Sequence, residues 1–125
     1  MFKSDSGSWF VLGGNGCCFC AGGADTKVWR SSAGPMGPYV FIGYLNPPYS
    51  TASPYNYTIP AQQFGVHAVR LASGAVQPMY VGLRWGSGQS KRTDYQYWAP
   101  IQSTPHGLSL LALQWQNDFV LDLQA

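Results

Sequence analysis

Fifteen glycines and nine prolines punctuate this chain of 125 residues, and they recur too often to leave room for a helix longer than about two or three turns. Between them lie short apolar or alternating runs bounded by turn residues, the pattern of an antiparallel all-β domain. Strands are expected at residues 9–12, 27–31, 39–43, 66–72, 79–84, 95–101, 108–115 and 119–123. The clearest turn is Ala33-Gly34-Pro35-Met36-Gly37-Pro38, after which Tyr39 opens a strand. Leu108-Ser109-Leu110-Leu111-Ala112-Leu113 would also suit a helical turn, but its brevity and the following Gln114-Trp115 favour a strand. Residues 46–60 form a polar stretch rich in Pro and Tyr without strand alternation, and read as a long loop. Eight short strands fit a sandwich, a barrel or about two four-stranded propeller blades.

Charged residues are only 10% of the chain against about 25% in an average domain, while 46% is apolar. The surface is therefore covered by Ser, Thr, Gln, Asn, Tyr and Gly, which suits a carbohydrate partner better than a phosphate one. The seven Lys and Arg give a net charge of +2 and are scattered, with only Lys91-Arg92 adjacent. No basic stripe tracks a nucleic acid backbone, so nucleic acid and anionic membrane are set aside as partners. No apolar stretch reaches the roughly 18–20 residues of a membrane-spanning helix. Met1-Phe2-Lys3-Ser4-Asp5 lacks the basic and apolar regions of a signal peptide, so the chain is either cytosolic or does not begin at the natural start of its polypeptide.

The acidic inventory is narrower still. There is no Glu, and the acids are Asp5, Asp25, Asp94, Asp118 and Asp122. Acid–base cleavage of a glycosidic bond needs two opposed carboxyl groups, one of them held protonated. Five Asp leave few ways to build such a pair.

Cys17-Cys18-Phe19-Cys20 sits among glycines and contains a C-x-x-C spacing. A zinc site needs a second ligand pair, and only His67 and His106, far apart in sequence, offer other soft donors. Ala21-Gly22-Gly23-Ala24 is a poor helix start for a redox pair. The cysteines read as a tight loop of small thiols with room for one disulfide, and no metal ligands are assigned. Gly13-Gly14-Asn15-Gly16 lacks the following Lys of a phosphate-binding loop, and no G-x-S-x-G elbow marks a serine hydrolase. In Gly65-Val66-His67-Ala68-Val69, alternation puts His67 on the face of Val69, as a structural histidine of a strand. Asn56-Tyr57-Thr58 is a glycosylation sequon, in keeping with export.

The richest stretch is Met79-Tyr80-Val81-Gly82-Leu83-Arg84-Trp85-Gly86-Ser87-Gly88 followed by Asp94-Tyr95-Gln96-Tyr97-Trp98-Ala99-Pro100. Its aromatic rings suit stacking on sugar faces and its Arg, Asp and Gln suit hydroxyls, although Trp and Tyr serve equally well in packing between sheets.

These pieces occur in a recognisable order. Phe2-Lys3 through Trp9-Phe10-Val11-Leu12 looks like the "F-K-x-x-G-x-Y-Y-L" blade-opening strand of glycoside hydrolase family 43. Arg30-Ser31-Ser32-Ala33-Gly34-Pro35-Met36-Gly37-Pro38-Tyr39 is similar to its "R-S-x-S-P-x-G-P-Y" turn. Ala61-Gln62-Gln63-Phe64-Gly65-Val66 resembles the Ser-Gln-Ser-Thr segment of the exo-β-1,3-galactanase-like branch. Tyr80-Val81-Gly82-Leu83-Arg84-Trp85, Tyr95-Gln96-Tyr97-Trp98-Ala99-Pro100-Ile101 and Leu113-Gln114-Trp115 with Phe119-Val120-Leu121-Asp122-Leu123 resemble "Y-x-G-D-R-W", "Y-v-W-L-P-L" and "L-x-W…W-x-L-D". The likeness runs from about Phe2 to Leu123, with the Arg-Ser turn and the Arg-Trp pair its most specific parts.

The resemblance implies that residues 1–125 form a single partial propeller domain, about two antiparallel four-stranded blades from the C-terminal side of a five-bladed one. It implies a secreted parent that hydrolyses O-glycosidic bonds of a galactan- or arabinan-type polysaccharide by inversion. The family's base, its pKa-tuning Asp and its acid Glu would all precede Met1, so this chain is expected to be inactive alone. Gln62 matches the water-orienting Gln of the galactanase-like branch, with Gln63 next in register. Arg84, Trp85, Asp94, Tyr95 and Trp98 are the expected substrate contacts. Leu83 departs from the family pattern by replacing the Asp before Arg-Trp. No cofactor follows from the residues themselves; the resemblance allows a central calcium but designates no ligand for it. A non-catalytic glycan-binding propeller module and a purely structural all-β domain are the competing readings. An open set of blades is also expected to self-associate through its edges.

Overall fold

The computed structural model describes residues 1–14, 22–50, 53–88, 90 and 93–123, with residues 49, 50 and 53–56 as backbone. It is all-β, and no described residue is helical. The first sheet holds β1 (Phe2–Lys3), β2 (Trp9–Gly14), β3 (Thr26–Ser31) and β4 (Val40–Asn46), each antiparallel to its sequence neighbour in the order β1-β2-β3-β4. A short hairpin follows, made of β5 (Pro48–Ser50) and β6 (Ser53–Tyr57). The last sheet holds β7 (Gln62–Arg70), β8 (Val76–Arg84) and β9 (Tyr95–Pro100), again antiparallel and in sequence order.

Three expectations give way. Residues 46–60 are not one loop, because β5 and β6 pair within them. Asn56 of the sequon therefore falls on a strand. Residues 108–115 form no strand: Leu110 and Leu113, three apart, are both buried, a spacing that period-two alternation cannot supply. Their backbone partners change along the run, with Leu110 bridging Ser103, Leu111 N–H donating to Gln102 O and Leu113 N–H donating to Leu45 O. Residues 119–123 likewise reach only one bridge, Leu123 to Leu71, supported by Ala72 N–H on Asp122 O at 2.8 Å. The last sheet consequently has three strands where four were expected. The cysteine loop lies outside the described residues.

The core forms where the inner faces of the two larger sheets meet. Phe10 and Val28 come from the first sheet, Tyr80, Tyr97 and Ala99 from the last, and Leu45, Ile59, Ala61, Leu110 and Leu113 close the sides. Two register shifts in the β3–β4 pairing pass over Ile42 and Leu45. Such bulges add a residue to one strand and re-aim its side chains, and here Leu45 and Asn46 are adjacent yet both fully buried. Asn46 replaces the missing ladder bonds. Its Nδ2 donates to Ala24 O at 3.0 Å and to Ile59 O at 2.9 Å, and its Oδ1 accepts Ile59 N–H at 2.9 Å. One amide thus ties the end of β4 to the chain entering β3 and to the chain leaving β6.

On the opposite face of the first sheet, Trp29, Phe41 and Tyr44 meet edge to face, with ring centroids 5.9 and 5.5 Å apart. Phe41 and Tyr44 remain exposed there.

Candidate functional site

The open end of the β8–β9 hairpin decides where the expected contacts lie. Arg84 ends β8 and pairs across the ladder with Tyr95, which begins β9. Ser87 Oγ accepts Tyr95 N–H at 2.8 Å, and Asp94 Oδ1 accepts Gly88 N–H at 3.0 Å. Asp94 therefore fastens the loop that joins Arg84 to Tyr95.

Alternation then divides the expected set. Arg84 lies on the face of Tyr95 and Tyr97, and its guanidinium sits 4.9 Å over the Trp115 ring. Trp85, the next residue, turns to a different partner and donates its indole N–H to Gln62 Oε1 at 2.8 Å. Gln62 opens β7 opposite Leu83. Trp98 points to the other face of β9, where its ring lies 5.2 Å from His67 and its indole N–H donates to Gln96 Oε1 at 3.1 Å. Gln62 and Trp85 are joined, Arg84 and Tyr95 are joined, and the two pairs leave the sheet in different directions.

Arg84, Tyr95 and Trp98 do share one space, a cleft of about 430 Å³ at the edge of β9. It wraps around that edge, so residues from both faces line it: Gln96, Tyr97, Trp115, Gln116, Asn117 and Phe119 complete the wall. Trp85 borders a smaller hollow of about 160 Å³ with Pro60 and Ser87. A further cavity of about 330 Å³, between Lys3, Asp5, Gln77 and Ile101, holds none of the expected residues.

Tyr97 and Trp115 were not among the expected contacts, yet they organise the cleft. Their rings stack with centroids 4.8 Å apart and planes 22° from parallel. The Tyr97 hydroxyl donates to Gln114 O at 3.3 Å and accepts Gln116 N–H at 3.2 Å, which holds the segment bearing Trp115 against β9. Burial raises the Tyr97 pKa, partly offset by the Gln116 N–H. No local signal links these two residues; only the return of the C-terminal segment brings them together.

Chemically, the cleft offers aromatic faces, three amides, two phenols and one guanidinium. No Asp or Glu lines it, whereas cleavage of a glycosidic bond ordinarily uses a pair of carboxyl groups. Among the described residues no group of three or more His, Cys, Asp or Glu comes together. The described residues therefore gather no carboxylate cluster for the calcium that the resemblance allows. Among the described residues there is no helix long and apolar enough to cross a membrane. Family models, curated proteins and solved structures were all compared with this chain, and none matches it.

Proposed function

We propose that this chain is the substrate-positioning part of a family 43-like glycoside hydrolase, contributing propeller blades and a glycan cleft but not the acid–base pair. Its polysaccharide would be of the galactan or arabinan type, and its parent a secreted protein. One observation carries the reading: the cleft beside β9 is walled by Tyr95, Tyr97, Trp98 and Trp115 and by the amides of Gln96, Gln116 and Asn117. Aromatic faces cover the apolar side of a sugar ring, while amides and phenols exchange hydrogen bonds with its hydroxyls. The strand order β1-β2-β3-β4 supports the blade assignment, since a blade is a four-stranded antiparallel meander; β7-β8-β9 would be a blade lacking its fourth strand.

Within this reading Gln62 orients water only through what Trp85 leaves free: a second lone pair on Oε1 and the amide N–H groups. Asp94 acts by holding the loop between the strand ends from which Arg84 and Tyr95 meet the sugar. Exposed Val40 and Phe41 on β4, and Tyr95 on β9, mark the edges through which such blades would self-associate.

Calorimetric titration with β-1,3-galactan and arabinan oligosaccharides tests the proposal, alongside an assay with aryl galactosides and arabinosides. Binding that quenches tryptophan fluorescence, with no turnover, is expected. Turnover abolished by Asp94→Ala would refute the positioning role, and the absence of binding to any glycan would refute the glycan reading. The competing reading, a glycan-binding module with no hydrolytic parent, draws on the same carboxylate-free cleft. It prevails if the full natural polypeptide binds these glycans without cleaving them.

A further inference from the structure

Arg84 brings the cleft its one positive charge and a buried donor. Its Nε is buried without a hydrogen-bond partner among the described residues. No carboxylate comes within ion-pair distance of it there: the ion pair among the described residues joins Lys27 and Asp25. Asp94, one residue before its ladder partner Tyr95, has its Oδ1 engaged by Gly88 N–H, and Asp118 follows the cleft residue Asn117 without reaching the guanidinium. The charge instead rests on the π-face of Trp115, itself held by its stack on Tyr97.

A guanidinium in this setting is unusually ready for an anion. It is planar and cannot be neutralised by losing its proton, and its donors form a fork that matches two oxygens of one oxyanion. The cation–π contact with Trp115 restrains the side chain, so less of its freedom remains to be lost on binding. The leucine at position 83 adds no acid beside it. Neutral hydroxyls would leave the positive charge uncompensated in a half-enclosed site, whereas a carboxylate or sulfate would form charge-assisted bonds of about twice the ordinary strength.

We propose that the cleft selects an acidic glycan, one whose sugar bears a carboxylate or sulfate ester that pairs with the outer nitrogens of Arg84 while its ring packs among Tyr95, Trp98 and Trp115. This rests on the glycan reading above and narrows its substrate class. Gln96, Gln116 and Asn117 then serve the neighbouring hydroxyls.

Three probes separate the possibilities: tri-galacturonate, a sulfated galactotriose and neutral galactotriose, titrated calorimetrically into the whole chain at low salt. At least one anionic probe is expected to bind about ten- to hundredfold more tightly than the neutral one, the worth of one good charge-assisted contact. Whichever probe leads identifies carboxylate or sulfate as the natural group. Arg84→Gln should erase the preference and Arg84→Lys should keep part of it, with near-ultraviolet circular dichroism verifying the fold of each. Should Arg84→Gln fail to fold, salt decides on the unaltered protein: the preference must shrink as ionic strength rises. Equal binding of all three probes, or a preference indifferent to salt, overturns the inference and leaves the glycan reading in place. Binding of none overturns the inference, and the glycan reading falls with it when arabinan oligosaccharides also fail to bind.

Discussion

The indole N–H of Trp85 donates to the side-chain oxygen of Gln62 at 2.8 Å, joining the end of β8 to the start of β7 across the last sheet. Trp85→Phe removes the donor and leaves a partly buried amide oxygen, so a loss of about 1–2 kcal/mol is expected in urea unfolding. Gln62→Glu keeps the acceptor and makes the bond charge-assisted. It should be more stable at neutral pH than Gln62→Leu, with the order read from denaturation midpoints.

Asn46 stands where β4 ends, and its amide satisfies Ala24 O, Ile59 O and Ile59 N–H in a site with no exposure to solvent. Asn46→Ala strands all of these backbone groups, and a destabilisation of roughly 3–5 kcal/mol is expected by chemical denaturation. Asn46→Asp should fare no better, since a carboxylate would accept Ile59 N–H but face two carbonyl oxygens with nothing to donate.

Gly23 and Gly74 both have positive φ, of 86° and 83°, but only one is enclosed. A methyl at Gly23 would lie 2.6 Å from Ala61 N and 2.8 Å from Ile59 O, which are backbone atoms, whereas nothing lies within 4 Å at Gly74. Gly74→Ala should cost roughly 1–2 kcal/mol for conformation alone. Gly23→Ala should cost roughly 2–5 kcal/mol, because overpacking is added to the same strain. Thermal unfolding of the two variants side by side checks the difference.

Tyr80 is fully buried, and burial pushes its pKa from 10.0 to about 12, with the neighbouring Thr26 hydroxyl pulling the other way and Tyr97 adding to the rise. The folded state therefore keeps this proton where the unfolded state has lost it. The resulting stability is complete below pH 10 and disappears as pH climbs toward about 12, a loss on the order of 2–3 kcal/mol. Tyr80→Phe should flatten that alkaline limb of the stability profile. A limb unchanged by the substitution would mean that Tyr80 ionises as freely folded as unfolded.

Much of the strand content was legible because alternation and glycine punctuation are local. Residues 27–31 and 79–84 fall inside β3 and β8, and residues 95–101 match β9 but for one position. His67 lies where alternation put it, and its ring contact with Trp98 shows which residue shares its face. The C-terminal stretch misled because Leu108, Leu110, Leu111 and Leu113 resemble a strand in composition, while their burial follows contacts made elsewhere in the chain. Residues 46–60 misled in the opposite sense, since a short hairpin needs little alternation to pair.

The candidate site divides the same way. The Arg84-Trp85 pair, the aromatic run of β9 and the low charge are properties of the sequence; the first two turned attention to glycans, and the scattered basic residues turned it away from nucleic acid and membrane. Tertiary structure alone decided that Arg84 and Trp85 part company, one to Trp115 and the other to Gln62. The reason is that β8 ends at Arg84 and Trp85 opens the turn beyond it, and each finds its partner in a segment brought there only by folding: Trp115 from the C-terminal return and Gln62 from the start of β7.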